Sequence, residues 1–358
     1  MRYTLLLALF AFTLASCDDK PKSDTNDSSQ VVSPMDSLAP ADAGFLDDSL
    51  NAYLHDNPFS VDGLLARAER YISRKNYRYA EADIRAAKEL DSLNPKVLLL
   101  WGDIHFFNNK TRVSRDAWKK CIEVDPQSVD CRLKLAELYR AIGDLETSTK
   151  LVREVIDIDS EEPVSYFILA SNYRDMTGDT ATAIRYVQEA IERDPDFFAA
   201  LDYAAVMAGD LKMPIAESYY QRLIELDPNN PNVYFNQGWY YQSIDNYNEA
   251  IKAYTKVMDL QPKNFMAPYH LGYIHLELDL RREAIGYFNK SIEAQQVNHR
   301  AYFARGWTYE QMGDIIRAEQ DYRQALAYNP THQDSKVAIQ RVQQQIREMQ
   351  AEMNAQQQ

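Results

Sequence analysis

The sequence predicts an all-α fold, a solenoid of about eight helix-turn-helix repeats closed at both ends by capping helices. Three observations predict it. A small residue recurs at a step of 34 positions, large apolar residues flank each recurrence at helical spacing, and prolines recur where successive units meet. Composition agrees, since the 358 residues are 46% hydrophobic but hold only 11 Gly against 24 Tyr, which favours helices packed by large side chains. Repeat arrays lengthen by adding units, so chain length does not set the number of domains here.

Taken in order, residues 1–16 read as a lipoprotein signal peptide. Arg2 precedes an apolar run from Leu5 to Leu14 broken only by Thr13, and small residues follow before Cys17. The run falls short of the roughly 20 apolar residues that a spanning helix needs. Leu14-Ala15-Ser16-Cys17 resembles the bacterial lipobox. That resemblance implies a diacylglycerol thioether and a further acyl chain such as palmitate on Cys17, with the lipid bilayer as a partner. Several chains anchor stably where one does not. Residues 17–44 are rich in Ser, Asp, Pro and Ala and too poor in large apolar residues to order themselves, so they read as a disordered tether. Its coil dimension is roughly 30 Å, enough to hold a folded body off a membrane. The pair Asp18-Asp19 resembles both the enterobacterial signal for inner-membrane retention and the Bacteroidetes signal for surface export. The bacterial envelope is therefore the expected location, the outer membrane favoured over the inner and its face left open.

Residues 45–60, with Phe45, Leu46, Leu50, Tyr53 and Leu54, read as an N-terminal capping helix. Eight repeats follow over 61–330, at about 61–94, 95–128, 129–162, 163–196, 197–230, 231–264, 265–298 and 299–330. The small column runs Ala68, Gly102, Ala136, Ala170, Ala204, Gly238, Gly272 and Gly306. Three residues before it stand Leu65, Leu99, Leu133, Phe167, Leu201, Phe235, Tyr269 and Phe303. Three after it stand Tyr71, His105, Tyr139, Tyr173, Met207, Tyr241, His275 and Tyr309, which completes one helical face. A second helix in each unit carries Ala80, Ser114, Ser148, Ala183, Ala216, Ala250, Ala284 and Ala318. Four residues on come Ile84, Trp118, Val152, Val187, Tyr220, Tyr254, Phe288 and Tyr322. Prolines at 126, 195, 228, 262 and 330 stop the helices. Ala183 sits one residue late, after Thr177-Gly178-Asp179, and a shortened turn before the next unit is expected to restore register.

These columns resemble the tetratricopeptide repeat, a 34-residue helix-turn-helix. The resemblance covers about residues 61–330 and implies a right-handed superhelix whose first helices line a concave groove that holds protein or peptide. His105, His275 and Pro268 depart from the usual pattern, although proline is tolerated in a first helical turn. Residues 331–358 read as a C-terminal capping helix and polar tail. Its stripe of Ile339, Val342, Ile346, Met349 and Met353 is heptad-like, so self-association is one outcome and the oligomeric state is left open.

Little in the chain points to catalysis. There is no phosphate-cradling glycine loop, no nucleophile elbow and no His-Glu-x-x-His helix, so neither enzyme activity, metal nor cofactor is expected. His270 and His275 are five apart and do not share a face. A net charge of −14, from 53 acidic and 39 basic residues, argues against nucleic acid as a partner. Cys121 and Cys131 flank the turn at Pro126 and form a candidate disulfide pair, which an exported protein permits.

The tetratricopeptide resemblance places the columns of Leu65 and Glu69 on the inner surface. The second reads Glu69, Asp103, Glu137, Ser171, Ala205, Trp239, Tyr273 and Trp307, turning from acidic to aromatic. Phe235, Trp239, Tyr269, Tyr273, Phe303 and Trp307 would then form an aromatic wall for a partner segment, with Asn232, Gln242, Arg300 and Glu310 offering polar contacts. The acidic end suits a basic or mixed-charge partner. The expected function is a membrane-anchored scaffold that binds envelope proteins and supports assembly of a complex. The alternatives are a fixed subunit of a secretion or gliding-motility machine and a glycan-binding protein whose rings stack on sugars.

Overall fold

The computed structural model describes residues 48–356. The signal sequence, Cys17, the tether, and Phe45 and Leu46 of the capping segment lie outside the described residues. Among the described residues the elements are helices throughout. The chain divides after Pro195 into two compact units. Unit 1 holds α1 (Asp48–Asp56) and four hairpins: α2 (Val61–Ser73) with α3 (Tyr77–Leu90), α4 (Pro95–Phe107) with α5 (Thr111–Val124), α6 (Val129–Ala141) with α7 (Leu145–Ile158), and α8 (Pro163–Thr177) with α9 (Thr180–Arg193). Unit 2 holds α10 (Phe198–Asp210) with α11 (Ile215–Leu226), α12 (Pro231–Ser243) with α13 (Tyr247–Leu260), α14 (Met266–Glu277) with α15 (Arg281–Ala294), α16 (His299–Gln311) with α17 (Ile315–Tyr328), and then α18 (Gln333–Gln356).

Local chemistry fixes where these helices start and stop. Ser60, Asn94, Ser128, Glu162 and Asn230 each accept a hydrogen bond from a backbone N–H in the first turn of α2, α4, α6, α8 and α12. Asn298 does the same for α16, satisfying donors that the helix itself leaves unpaired. The helices α5, α9, α11, α13 and α17 each end two residues before one of the predicted prolines. Between the helices of each hairpin one residue takes the left-handed conformation: Lys75, Asn109, Gly143, Gly178, Lys212, Asp245, Asp279 and Gly313.

That series corrects one sequence expectation. Its spacing is regular from Lys75 to Gly143, then lengthens by one at Gly178, holds to Lys212 and shortens by one at Asp245. The extra residue after Thr177 is therefore not removed in the turn before α10. It is carried through α9 and α10, and register returns only after Lys212. The cap column confirms the shift, because Phe197 stands at the N-cap of α10 and offers no side-chain hydrogen bond.

Within each unit every first helix packs on its own second helix, and each second helix packs on the next hairpin's first. First helices also touch one another, α2 with α4 and α6 with α8 in unit 1, α10 with α12 and α14 with α16 in unit 2. Second helices of successive hairpins make no contact of that extent, so each unit curves with its first helices on the inner side. The small column permits the crossings. A Cβ at Gly102 would lie 2.2 Å from the Trp118 indole nitrogen, and one at Gly272 would lie 2.5 Å from the Phe288 ring. The ring that fills each of these spaces is nearly or wholly out of solvent, as with Trp118, Tyr254, Phe288 and Tyr322. Burial of each contributes roughly 2 kcal/mol or more.

Both ends of the array are closed by charge as well as by apolar contact. Arg67 donates to both carboxylate oxygens of Asp83 at 2.7 Å and to Asn51 of α1 at 3.2 Å. Seven repeats later Arg305 binds Asp321 at 2.8 and 2.7 Å and Asn289 at 2.6 Å. Asn51 thus occupies the place that Asn289 holds on α15, so α1 sits where a second helix of a preceding hairpin would. At the other end α18 buries Ser335, Ala338 and Val342. Its Arg341 grips Glu310 at 2.6 and 2.7 Å. Cys121 and Cys131 form a disulfide across the α5–α6 turn, with Cα atoms 6.3 Å apart.

Candidate partner-binding faces

Unit 2 presents the aromatic column on its inner, first-helix side. Trp239 is 50% exposed and Trp307 40%, while Tyr273 between them is half-buried. An exposed indole at matching positions in two hairpins is surplus to packing, since Ser171 and, in the shifted register of α10, Val206 serve the same column elsewhere. The inner column of Phe235, Tyr269 and Phe303 is half-buried and packs on its own hairpins. Its rings meet Tyr254 at 5.5 Å, Phe288 at 6.2 Å and Tyr322 at 5.4 Å. These three rings support the wall, and the exposed ones face outward from it.

His270, which lies five residues before His275 and shares no face with it, organises the wall. It is buried, stacks on Tyr254 at 5.2 Å, and meets Phe235, Trp239 and Tyr269 edge-on at 5.5, 5.3 and 5.6 Å. Burial pushes its imidazole down to about 4, so the ring is neutral at physiological pH and packs as an aromatic. Tyr269 donates to the Tyr273 hydroxyl at 3.4 Å, and burial raises the Tyr273 phenol. His105 and His275, which replace the usual tyrosine of their column, lie against Trp101 at 4.2 Å and Tyr287 at 4.7 Å.

The four predicted polar residues separate into two pairs. Asn232 and Arg300 are exposed, and Arg300 lies close enough to Tyr273 to favour its ionised form. Gln242 and Glu310 are engaged inside the molecule. Gln242 accepts from the Tyr254 hydroxyl at 3.0 Å, and Glu310 accepts from the Tyr322 hydroxyl at 2.6 Å in addition to Arg341. Burial alone would raise the Glu310 carboxyl, but the bonds from Arg341 and Tyr322 outweigh it and hold the group below its usual range.

Unit 1 carries acids on the same side. Glu69 pairs with Lys96 at 3.0 Å and Glu137 with Lys134 at 3.4 Å, while Arg140 reaches Asp175 at 2.9 Å. Asp103 is different. Its Oδ1 is out of solvent reach with no hydrogen-bond partner, and burial pushes the carboxyl up to about 6 against the pull of Lys134 and of the Trp118 side chain. Among the described residues no three His, Cys, Asp or Glu side chains stand close enough to hold a metal ion, and no helix is long and apolar enough to cross a membrane.

The tetratricopeptide repeat profile matches residues 219–252 and 299–332. The chain is a tetratricopeptide repeat protein. No curated protein matches it by sequence. Among solved structures it is similar to the C-terminal part of a tetratricopeptide repeat-containing protein from Cytophaga hutchinsonii, at 17% identity and a TM-score of 0.58 over 67% of this chain and 99% of that one. It is also similar to pilF of Pseudomonas aeruginosa, at 14% identity and a TM-score of 0.50 over 56% of this chain and 92% of that one. At such identities the likeness concerns the fold. Tetratricopeptide hairpins make a protein-protein interaction scaffold, and this chain has protein or peptide partners in that capacity.

Proposed function

We propose that this tetratricopeptide protein is a lipid-anchored scaffold of the bacterial envelope. It seats a segment of a partner protein on the aromatic face of unit 2 and so supports assembly of an envelope complex. The observation that carries the reading is the pair of half-exposed tryptophans, Trp239 and Trp307, flanking Tyr273 on the inner side of consecutive hairpins. Large, stiff rings of this kind anchor protein segments at low entropic cost. The neutral His270 cluster behind Trp239 holds that ring in place without adding charge to the surface. Anchoring rests on Leu14-Ala15-Ser16-Cys17 and on the tether that follows.

The test is affinity recovery of envelope proteins by the acylated full chain, compared with a Trp239→Ala/Trp307→Ala variant of equal thermal stability. Losing two anchor rings is expected to reduce recovery of a specific partner at least tenfold, about 1.4 kcal/mol or more. Equal recovery by the variant, or binding confined to purified glycans, would overturn the reading.

A further inference from the structure

We propose that Asp103, on the inner face of unit 1, seats a lysine or arginine side chain supplied by the bound protein segment. This rests on the reading that first-helix faces hold such segments, and it assigns a chemistry to a second one. Four observations converge on it.

The fold does not require an acid at this place. The same column holds Ser171, Val206, Trp239, Tyr273 and Trp307 in other hairpins. The carboxylate is also costly where it stands, because Oδ1 is out of solvent and unpartnered, and such a group usually finds a hydrogen bond. Local charge is unbalanced as well. Lys134 is drawn by three carboxylates, Asp103, Asp130 and Glu137, so one ammonium faces three acids. Finally, that ammonium is already committed to Glu137 at 3.4 Å and makes no hydrogen bond to Asp103.

A second cation would complete the set. Lys134, with its side chain 34% exposed, can swing aside towards Glu137 and let an incoming ammonium or guanidinium reach the Asp103 carboxylate. A metal ion does not fit, since no three ligand side chains among the described residues are close enough. Neighbouring acids are less suitable seats. Glu69 already has Lys96, and Asp175 already has Arg140. A charge-assisted hydrogen bond to a buried carboxylate is stronger than a neutral one, which makes this position a source of specificity for basic residues.

The test uses the full chain and two photoreactive probes, diazirine-tagged acetyl-Gly-Arg-Gly-amide and its Gly-Gln-Gly counterpart, with labelled positions mapped by peptide mass. The arginine probe is expected to label α4 and α6 at least fivefold more than the glutamine probe. Asp103→Asn should abolish that preference, Asp103→Glu should retain part of it, and Glu69→Gln should leave it in place. Undiminished labelling of Asp103→Asn, or labelling spread over the surface acids in proportion to charge, would overturn the proposal. Because this readout is confined to α4 and α6, it is independent of the tryptophan variant that tests the unit 2 reading.

Discussion

At Asp103 folding opposes a side chain that would otherwise be ionised at neutral pH. With its carboxyl raised to about 6 from an ordinary 3.8, the folded protein holds a proton that the unfolded chain has already released between those values. The stabilising contribution is complete below the lower value and is lost as pH rises through the upper one. Asp103→Asn should therefore raise stability at pH 7.5 by about 2 kcal/mol, and the gain should vanish near pH 4, as read from denaturant melts at both values. The column position of Asp103 was legible in the sequence because the repeat period fixes the face. The unsatisfied Oδ1 was not, because pairing of acids with Lys96 and Lys134 depends on which lysine reaches which helix. The roles of Gln242 and Glu310 carried a readable signal that was missed. Each stands twelve residues before a tyrosine, Tyr254 and Tyr322, that donates to it, whereas Leu276 stands twelve before Phe288, which has no hydroxyl to place.

At the scale of elements, hairpin turns and the terminal helix carry the measurable consequences. Lys75 and Lys212 hold the left-handed conformation at φ 61° and 54°, where Gly143 and Gly313 hold it in other hairpins without a Cβ penalty. Lys75→Gly should stabilise the chain by about 0.5–1 kcal/mol, as read from a denaturant melt. The one-residue slip was hidden in the sequence because Ala204 and Ala205 are both small and both buried, so the small column is satisfied in either register. Cap residues at Ser60, Asn94, Ser128 and Glu162 recur at the same period and would have located each first helix, while the break at Phe197 would have exposed the slip. On α18 the sequence stripe divides in two. Val342 is buried against the last hairpin, whereas Met349 and Met353 are exposed. A chain ending at Glu348 should melt as the full chain does. One ending at His332 loses the buried face and the Arg341–Glu310 pair, and should lose at least about 2 kcal/mol.

For the whole molecule, the proposed function has two halves that rest on separate parts of the chain. The proposed lipid anchor rests on Cys17, and Cys17→Ser is expected to move the protein from the membrane pellet to the soluble fraction of the bacterium that makes it. The scaffold rests on hairpins whose period, small columns and proline stops were all readable in sequence, because a repeat array states the same packing solution many times over. Which surface a partner uses is less readable, since a ring in a groove column becomes a support or an anchor according to its neighbours. Phe235 is held by Tyr254 and His270, while Trp239, about one helical turn further on, remains half in solvent. The most direct measurement places a photo-crosslinking amino acid at Gln311, beside Trp307, in the acylated chain inside its producing cell. A discrete crosslinked partner that disappears when Trp239→Ala and Trp307→Ala are added is the predicted result, and an adduct of unchanged yield in that variant would contradict it.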